Sequence, residues 1–350
     1  MVGRVAFAVP GDLATPTGGY AYDRRMIAEL QQLGWQVDVV NLGEGFPRPS
    51  EVQRGIARER LLAVPAGCPV VIDGLALGVL PEAAVEVRTG HPVIALVHHP
   101  LALESGLTAG EASVLRNSER AALAAVSGVV VTSKTTAQVL AADYGVAPGS
   151  IVVARPGNDR VVAARPGGDG IVRLLSVGSI VLRKGFDILV AALATLKDLP
   201  WRLTIAGDRT RDPAAAARLD ADISANDLGA RVVVLGAVSD ERIAELYSEA
   251  DLFVLASRFE GYGMALAEAI AYGVPVISTT GGAIPEAVPP GAGVLVAPDD
   301  APALAQALRR VIAGPAERSR LAAAAQAAAA QLPTWRDSAK RFSRAIEAAT

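Results

Sequence analysis

The sequence predicts an α/β protein of two domains, each built on a buried parallel sheet covered by helices of small residues. Three observations carry this expectation. The chain has 350 residues, room for two cores of ~150–200 residues each. Hydrophobic residues make up 51% of it but aromatic ones only 4%, so the apolar content is mainly Ala, Val and Leu. Short β-branched runs also alternate with glycine turns and Ala-rich stretches, the pattern of strands buried on both faces.

Charge and cysteine content narrow the function classes. With 33 Lys and Arg against 36 Asp and Glu, the net charge of -3 argues against a general nucleic-acid binder. Cys68 is the single cysteine, which excludes an intrachain disulfide and a cysteine-based zinc site. The apolar run at Val5–Val9 is too short for a signal peptide, and no stretch reaches ~18 uninterrupted apolar residues, so a cytoplasmic protein is expected.

In chain order, Val5–Val9 reads as the first buried strand. The loop Pro10–Thr17 follows, and Gly18-Gly19 opens a helix that runs to about Leu33 and is stopped by Gly34. Paired glycines between strand and helix let backbone approach a phosphate closely; an ordinary tight turn is the other reading. Trp35–Val40, Val70–Ile72, Val93–Val97, Val129–Thr132 and Ile151–Val153 are further strands, with helices between. The segment Ser50–Leu62 carries Arg54, Arg58 and Arg60. It reads first as a solvated helix face and second as a weak peripheral contact with anionic lipid. His98 and His99 stand just beyond Val93–Val97, at the strand end where open α/β sheets hold ligands. With no carboxylate or cysteine beside them in sequence they make a poor metal site, but they suit polar contacts to a ligand, His98 before His99. The turn-rich segment Asn158–Gly170 reads as a linker between domains 1–157 and 171–332.

The second domain opens with the strand Ile171–Val177 running into Gly178. Its loop Ser179–Gly185 carries Arg183 and Lys184 ahead of a helix from Phe186. Two cations before a helix are a candidate diphosphate clamp, or else a solubilising surface. Trp201–Ala206 and Val232–Leu235 are strands. Between them runs an Ala-rich helix after Gly207-Asp208, and Ser239 is the N-cap of the helix holding Ile243 and Leu246. The stretch after Asp251 is the most informative. Leu252–Leu255 is a buried strand, Ser257–Glu260 a polar turn, and Gly261 and Gly263 flank Tyr262. A helix runs from Met264 to Tyr272, Gly273 stops it, and Val274–Ile277 begins the next strand. A glycine-bearing loop at a helix start offers unpaired N–H groups and a positive dipole end to an anion. Glu260 and Glu268 flank that place, about 7–8 Å of helix rise apart per five residues. They suit hydroxyls on either side of a diphosphate, or else a surface ion pair. Gly281-Gly282 and Glu286 follow, then a strand Val294–Val296 and helices Ala301–Ala313 and Ala316–Gln331. A last amphipathic helix, Thr334–Ala348, carries Trp335, Phe342 and Ile346 on related turns.

The wording of the second half resembles the donor-binding half of glycosyltransferase family 4, retaining enzymes of the GT-B fold. It is carried by E-x7-E from Glu260 to Glu268, by G-x-P-V at Gly273–Val276, and by the glycine-glutamate tract G-G-A-I-P-E at Gly281–Glu286. The resemblance spans nearly all the chain, more loosely in its first half. It implies two Rossmann-like domains facing across a cleft that holds the active site, with helix 333–350 crossing back onto the first domain.

The chemistry implied is metal-independent hexosyl transfer with retention from a nucleoside-diphosphate sugar, with no separate cofactor. The acceptor, a sugar, a lipid-linked molecule or a small molecule, stays open. In that family Glu260 holds sugar hydroxyls, Glu268 the ribose, and Lys184 the phosphates, aided by the N–H groups of Met264 and Ala265. Gly18 and Gly19 face the donor, Gly261, Tyr262 and Gly263 line it, and Val238 lies in the loop that packs on the base. A histidine at the position of His98 lies near the transferred sugar. The family writes its phosphate loop G-R-x-x-x-x-K-G, and Ser179 stands here where the arginine is expected, so Arg183 is the candidate replacement. Three rivals share parts of this pattern: a nucleotide-sugar epimerase, a dinucleotide-linked oxidoreductase (which the absent G-x-G-x-x-G disfavours) and a two-lobed sugar-binding protein.

Overall fold

The computed structural model describes residues 3–159 and 170–350. The expected linker 158–170 therefore falls almost wholly outside the described residues. The chain divides into two compact units, Met1–Gly157 with Pro333–Thr350, and Asn158–Leu332.

The first unit is a six-stranded sheet of β1 (Arg4–Val9), β2 (Gln36–Asn41), β3 (Val70–Asp73), β4 (Val93–Val97), β5 (Gly128–Val131) and β6 (Ile151–Val153). Its order is β2-β1-β3-β4-β5-β6, and every pairing is parallel. Side chains alternate across a strand. Ala6 and Ala8 thus join one core with Ile72, Ala95 and Val131. Phe7, on the opposite face, stacks on Phe342 of the last helix, Trp335–Ala349, with ring centroids 6.1 Å apart. That helix, capped by Thr334, is part of this unit although it is last in the chain. Trp335, Phe342 and Ile346 are buried, and the Trp35 indole donates to Ser343 Oγ at 2.9 Å. His91, the remaining histidine, is a satisfied core residue whose Nδ1 lies 3.0 Å from Cys68 O.

The second unit repeats the architecture with β7 (Val172–Val177), β8 (Trp201–Ala206), β9 (Val232–Gly236), β10 (Leu252–Leu255), β11 (Val276–Thr279) and β12 (Gly293–Val296), in the order β12-β11-β10-β7-β8-β9, again all parallel. The central strands β10 and β11 are fully buried, as their unbroken apolar wording requires. β11 starts at Val276 rather than Val274, because Val274 N still bonds back to Ala269 O and closes the preceding helix. A short helix, Ile284–Ala287, falls within the glycine-glutamate tract where the sequence signals no element. Among the described residues no helix is long and apolar enough to cross a membrane.

Candidate functional site

In the second unit the phosphate-loop candidates converge on Glu260. The strand β7 ends at Gly178, and a 3-10 turn Leu182–Lys184 leads through Gly185 into the helix Phe186–Ala194. Gly185 has φ +65°, and a Cβ there would sit 2.0 Å from Ala256 O, so only glycine lets this turn lie against the end of β10. The turn carries Lys184 Nζ to 2.7 Å from Glu260 Oε1 and Arg183 Nη1 to 3.2 Å from Glu260 Oε2. Arg183 also donates to Phe259 O at 2.8 Å, and Ser257 Oγ donates to Glu260 Oε1 at 2.6 Å. All three charged side chains are largely buried. Burial alone would raise the Glu260 pKa, but Lys184 and Arg183 outweigh it and hold the carboxyl down at about 2. The backbone of Glu260 is fixed as well: it forms a one-residue parallel bridge with Gly282, and Ala283 N donates to Glu260 O at 2.9 Å. The glycine pair Gly281-Gly282 thus acts as a splint for the acid. Two cations face one anion here, which leaves the group a net positive charge.

Next in the chain, Gly263 caps the helix Met264–Ala271 with φ +96° and no side-chain hydrogen bond. Bonds to the helix start with Leu266 N to Gly263 O, so the N–H groups of Met264 and Ala265 precede the hydrogen-bonded ladder. Gly261 is buried beside them. The Tyr262 ring is packed into the core of the unit, and Val238 packs at its edge, beyond β9. Glu268 lies one turn into the helix and is half-buried. Its Oε2 is 3.1 Å from the Tyr247 hydroxyl, which also lies 2.9 Å from Ala265 O and shares one proton between them. Burial raises the Glu268 pKa, against the hydrogen bond from Tyr247. Tyr247 is itself held by stacking on Phe253 and Tyr272 at 5.8 and 5.2 Å.

In the first unit, His98 follows β4 directly and His99 comes next; both are about one-fifth exposed. His98 O accepts from Thr132 Oγ1 at 3.2 Å, at the end of β5. Its Nε2 lies 3.2 Å from Asp23 Oδ1 and 3.4 Å from Asp73 Oδ2. Gly18 and Gly19 open the helix Gly18–Gln32 behind the N-cap Thr17. A Cβ on Gly19 would stand 3.5 Å from the His98 ring, while one on Gly18 would meet open space. Asp23 is one turn further along, on the face of Gly19. The absence of carboxylates near the histidines holds only in sequence; the fold supplies two buried ones. Burial by itself would lower the His98 pKa, yet Asp23 and Asp73 carry it to about 10. Burial lifts Asp23 to about 7, with His98 opposing and Asp73 adding to the rise. Among the described residues, these three side chains form the group that offers three ligand atoms within 4.8 Å of one another. As placed, the nitrogen–oxygen separations are those of an ion pair, in which the imidazolium answers the carboxylates. His99 pairs instead with Glu104 at 3.4 Å.

Sequence reasoning missed Asp23, Asp73, Ser257 and Tyr247. Ser257 precedes Glu260 by three residues and Asp23 follows Gly19 by four, spacings that could have flagged them. Asp73 and Tyr247 reach the site only through sheet order and core packing.

Two units of parallel six-stranded sheet covered by helices are the architecture of the GT-B fold, and comparison with known proteins agrees. Residues 165–328 match the family Glycosyl transferases group 1. That match lies within the second unit, residues 158–332. The chain is 26% identical over 330 residues to the MMP alpha-(1->4)-mannosyltransferase of Mycolicibacterium hassiacum, covering 83% of this chain and 78% of that one. It is 31% identical over 228 residues to D-inositol 3-phosphate glycosyltransferase 1 of Catenulispora acidiphila, covering 59% of this chain and 54% of the relative. Among solved structures, sucrose-phosphate synthase from Thermosynechococcus elongatus superposes with a TM-score of 0.83 at 23% identity over 97% of this chain and 98% of the other. Anabaena HepE in complex with UDP and glucose gives 0.75 at 18% identity, over 97% and 99%.

Proposed function

We propose that this glycosyltransferase moves a hexose from a nucleoside-diphosphate sugar to an acceptor, with retention at the anomeric carbon and without a metal ion. The observation that carries the reading is the pairing of Lys184 and Arg183 on Glu260 beside the uncapped start of Met264–Ala271. When a nucleoside diphosphate departs, negative charge grows on its phosphate oxygens. Groups that stabilise it must be in place beforehand and shielded from bulk water. The net positive charge of the Arg183–Lys184–Glu260 group and the dipole end of the helix meet that need, and they do the work that a divalent cation does elsewhere.

In this reading Lys184 and Arg183 bind the diphosphate, with the Met264 and Ala265 N–H groups beside them. Glu260 has two tasks: its carboxylate keeps the cations in position and accepts from sugar hydroxyls. Glu268 accepts from the ribose hydroxyls, and Val238 rests against the base. The loop glycines 261 and 263 and the backbone of Tyr262 leave space for the sugar. In the first unit Gly19 packs close to His98, which Asp23 and Asp73 hold as an imidazolium. The acceptor is a sugar, a lipid-linked molecule or a small molecule.

Incubation with a panel of radiolabelled nucleotide-sugars and candidate acceptors tests the reading. Transfer of label, with release of nucleoside diphosphate and an α-linked product from an α-linked donor, is the expected result. An equilibrium between two nucleotide-sugars would make the protein an epimerase, and retention of intact donor without turnover would make it a binder. Activity that is abolished by a chelator and restored by a divalent cation would overturn metal independence.

A further inference from the structure

Arg258 stands between Ser257 and Glu260, yet its guanidinium points at other partners. Nη1 donates to Leu182 O at 2.5 Å and to Asp187 Oδ1 at 3.0 Å, and Nη2 donates to Asp187 Oδ2 at 2.7 Å. Nε pairs with Asp299 Oδ1 at 2.7 Å. Its main-chain N–H donates to Arg183 O at 2.8 Å. One residue thus ties together the 3-10 turn Leu182–Lys184, the first turn of the helix Phe186–Ala194, and the loop ahead of the helix Ala301–Ala313. Asp299 sits in the left-handed region at φ +60°, a conformation an aspartate keeps where its surroundings fix it. Arg258 is one positive charge between two carboxylates, so its cluster adds no net positive charge to the neighbouring phosphate site. What it adds is position. The carbonyls of residues 182 and 183 both bond to Arg258, and the peptide units they belong to carry the side chains of Arg183 and Lys184.

We infer that Arg258 is a positioning residue: it locks the 182–184 turn so that Arg183 and Lys184 are set for a diphosphate before the donor arrives. This rests on the reading of the turn as the phosphate site. The planar fork of arginine serves a bidentate carboxylate, a carbonyl and a second carboxylate at once, and a lysine ammonium has neither the shape nor the reach for all of them. Arg258→Lys therefore keeps the charge and the main-chain bond to Arg183 while losing the brace.

Amide hydrogen exchange on the unliganded protein tests this without reference to activity. The amides of Lys184 and Gly185, which donate to Val181 O and Leu182 O, are expected to exchange roughly tenfold faster in Arg258→Lys. Those of β10 should not change. Exchange at the wild-type rate overturns the brace. Asp187→Asn, which cuts the fork from its other side, is expected to act alike and serves if Arg258→Lys does not fold. Calorimetry with UDP, GDP and ADP separates the two levels of the argument. If the wild type binds none of them, the phosphate reading fails, whatever the exchange data say. If it binds one, Arg258→Lys should lower turnover by about ten- to a hundredfold, more than it raises the KM for donor, because misplacement of prepositioned groups costs most in the transition state. That loss should largely vanish in the Lys184→Ala, Arg183→Ala background, since a residue acting through those two has nothing left to position. A loss of equal size in both backgrounds overturns the assignment.

Discussion

At the scale of single residues, the least expected feature is the substitution of Ser179 for the arginine of the resembled phosphate loop. Arg183 points inward, to Phe259 O and Glu260, rather than into solvent. It therefore stands beside Lys184, where a guanidinium is useful. Arg183→Lys is expected to lose activity although the charge is kept, because an ammonium cannot bridge two phosphate oxygens. Arg183→Ala should lose roughly tenfold or more, with Ser179→Arg restoring part of it. Steady-state kinetics with donor at wild-type level in Arg183→Ala would remove Arg183 from the site. Glu260 makes a second residue-scale prediction. Its folded pKa, about 2, lies below the ordinary 4.5. A group depressed in this way contributes stability that is fully present above pH ~4.5 and lost as pH falls through 2. The contribution is on the order of 3 kcal/mol. Glu260→Gln should flatten the decline of unfolding free energy between those pH values in denaturant titrations. An unchanged slope would mean that Glu260 is not held by its cations.

At the scale of elements, each functional group is set by the way one element ends. The helix Met264–Ala271 presents its bare start and carries Glu268 one turn in, so the same helix serves phosphates and ribose in the proposed reading. Glu268→Ala is expected to weaken binding of free nucleoside diphosphate by roughly tenfold or more, since a charged hydrogen-bond partner is worth about 1.5–3 kcal/mol. Unchanged affinity by calorimetry would sink the ribose assignment. The turn at Gly185 tests the other element. Alanine there meets both the left-handed φ and the Ala256 carbonyl. Gly185→Ala should cost about 3 kcal/mol or more and lower Tm on the order of 10 °C. A melting curve like that of the wild type would mean the backbone is not held as described.

At the scale of the whole molecule, the chain builds the same parallel six-stranded plan twice and then returns to the first unit with its last helix. That helix covers the sheet face carrying Phe7, burying Trp335, Phe342 and Ile346. Large apolar side chains contribute ~1.5–3 kcal/mol each when buried. Three together approach the ~5–15 kcal/mol that holds a whole domain folded. Ending the chain after Leu332 is therefore expected to unfold the first unit while leaving the second protected, as read by hydrogen exchange or limited proteolysis. Equal protection of both units in the shortened chain would show that the helix is dispensable.

How much of this was legible in the sequence follows from range. Strands buried on both faces are written as continuous apolar runs, so β7, β10 and β4 could be read directly. Ser239 as an N-cap and Gly185 before a helix are likewise local chemistry, and the E-x7-E spacing, with the resemblance it helps to carry, singled out Glu260 and Glu268. Local wording also placed Lys184 ahead of a helix start and His98 at a strand end, where parallel sheets hold ligands. It could not say what those side chains touch. Asp73 reaches His98 because β3 pairs with β4, and Asp23 reaches it from the first helix. Sheet order is settled by packing of the whole unit and not by any one segment. Tyr247 meets Glu268 through an aromatic stack whose members are scattered in sequence, and Arg258 braces a turn some 76 residues before it. Hydrophobic periodicity and turn chemistry act over a few residues, and they determined the elements, while the family resemblance supplied the candidate site residues. The charge partners that fix pKa and position act through space, and only the tertiary structure decided them.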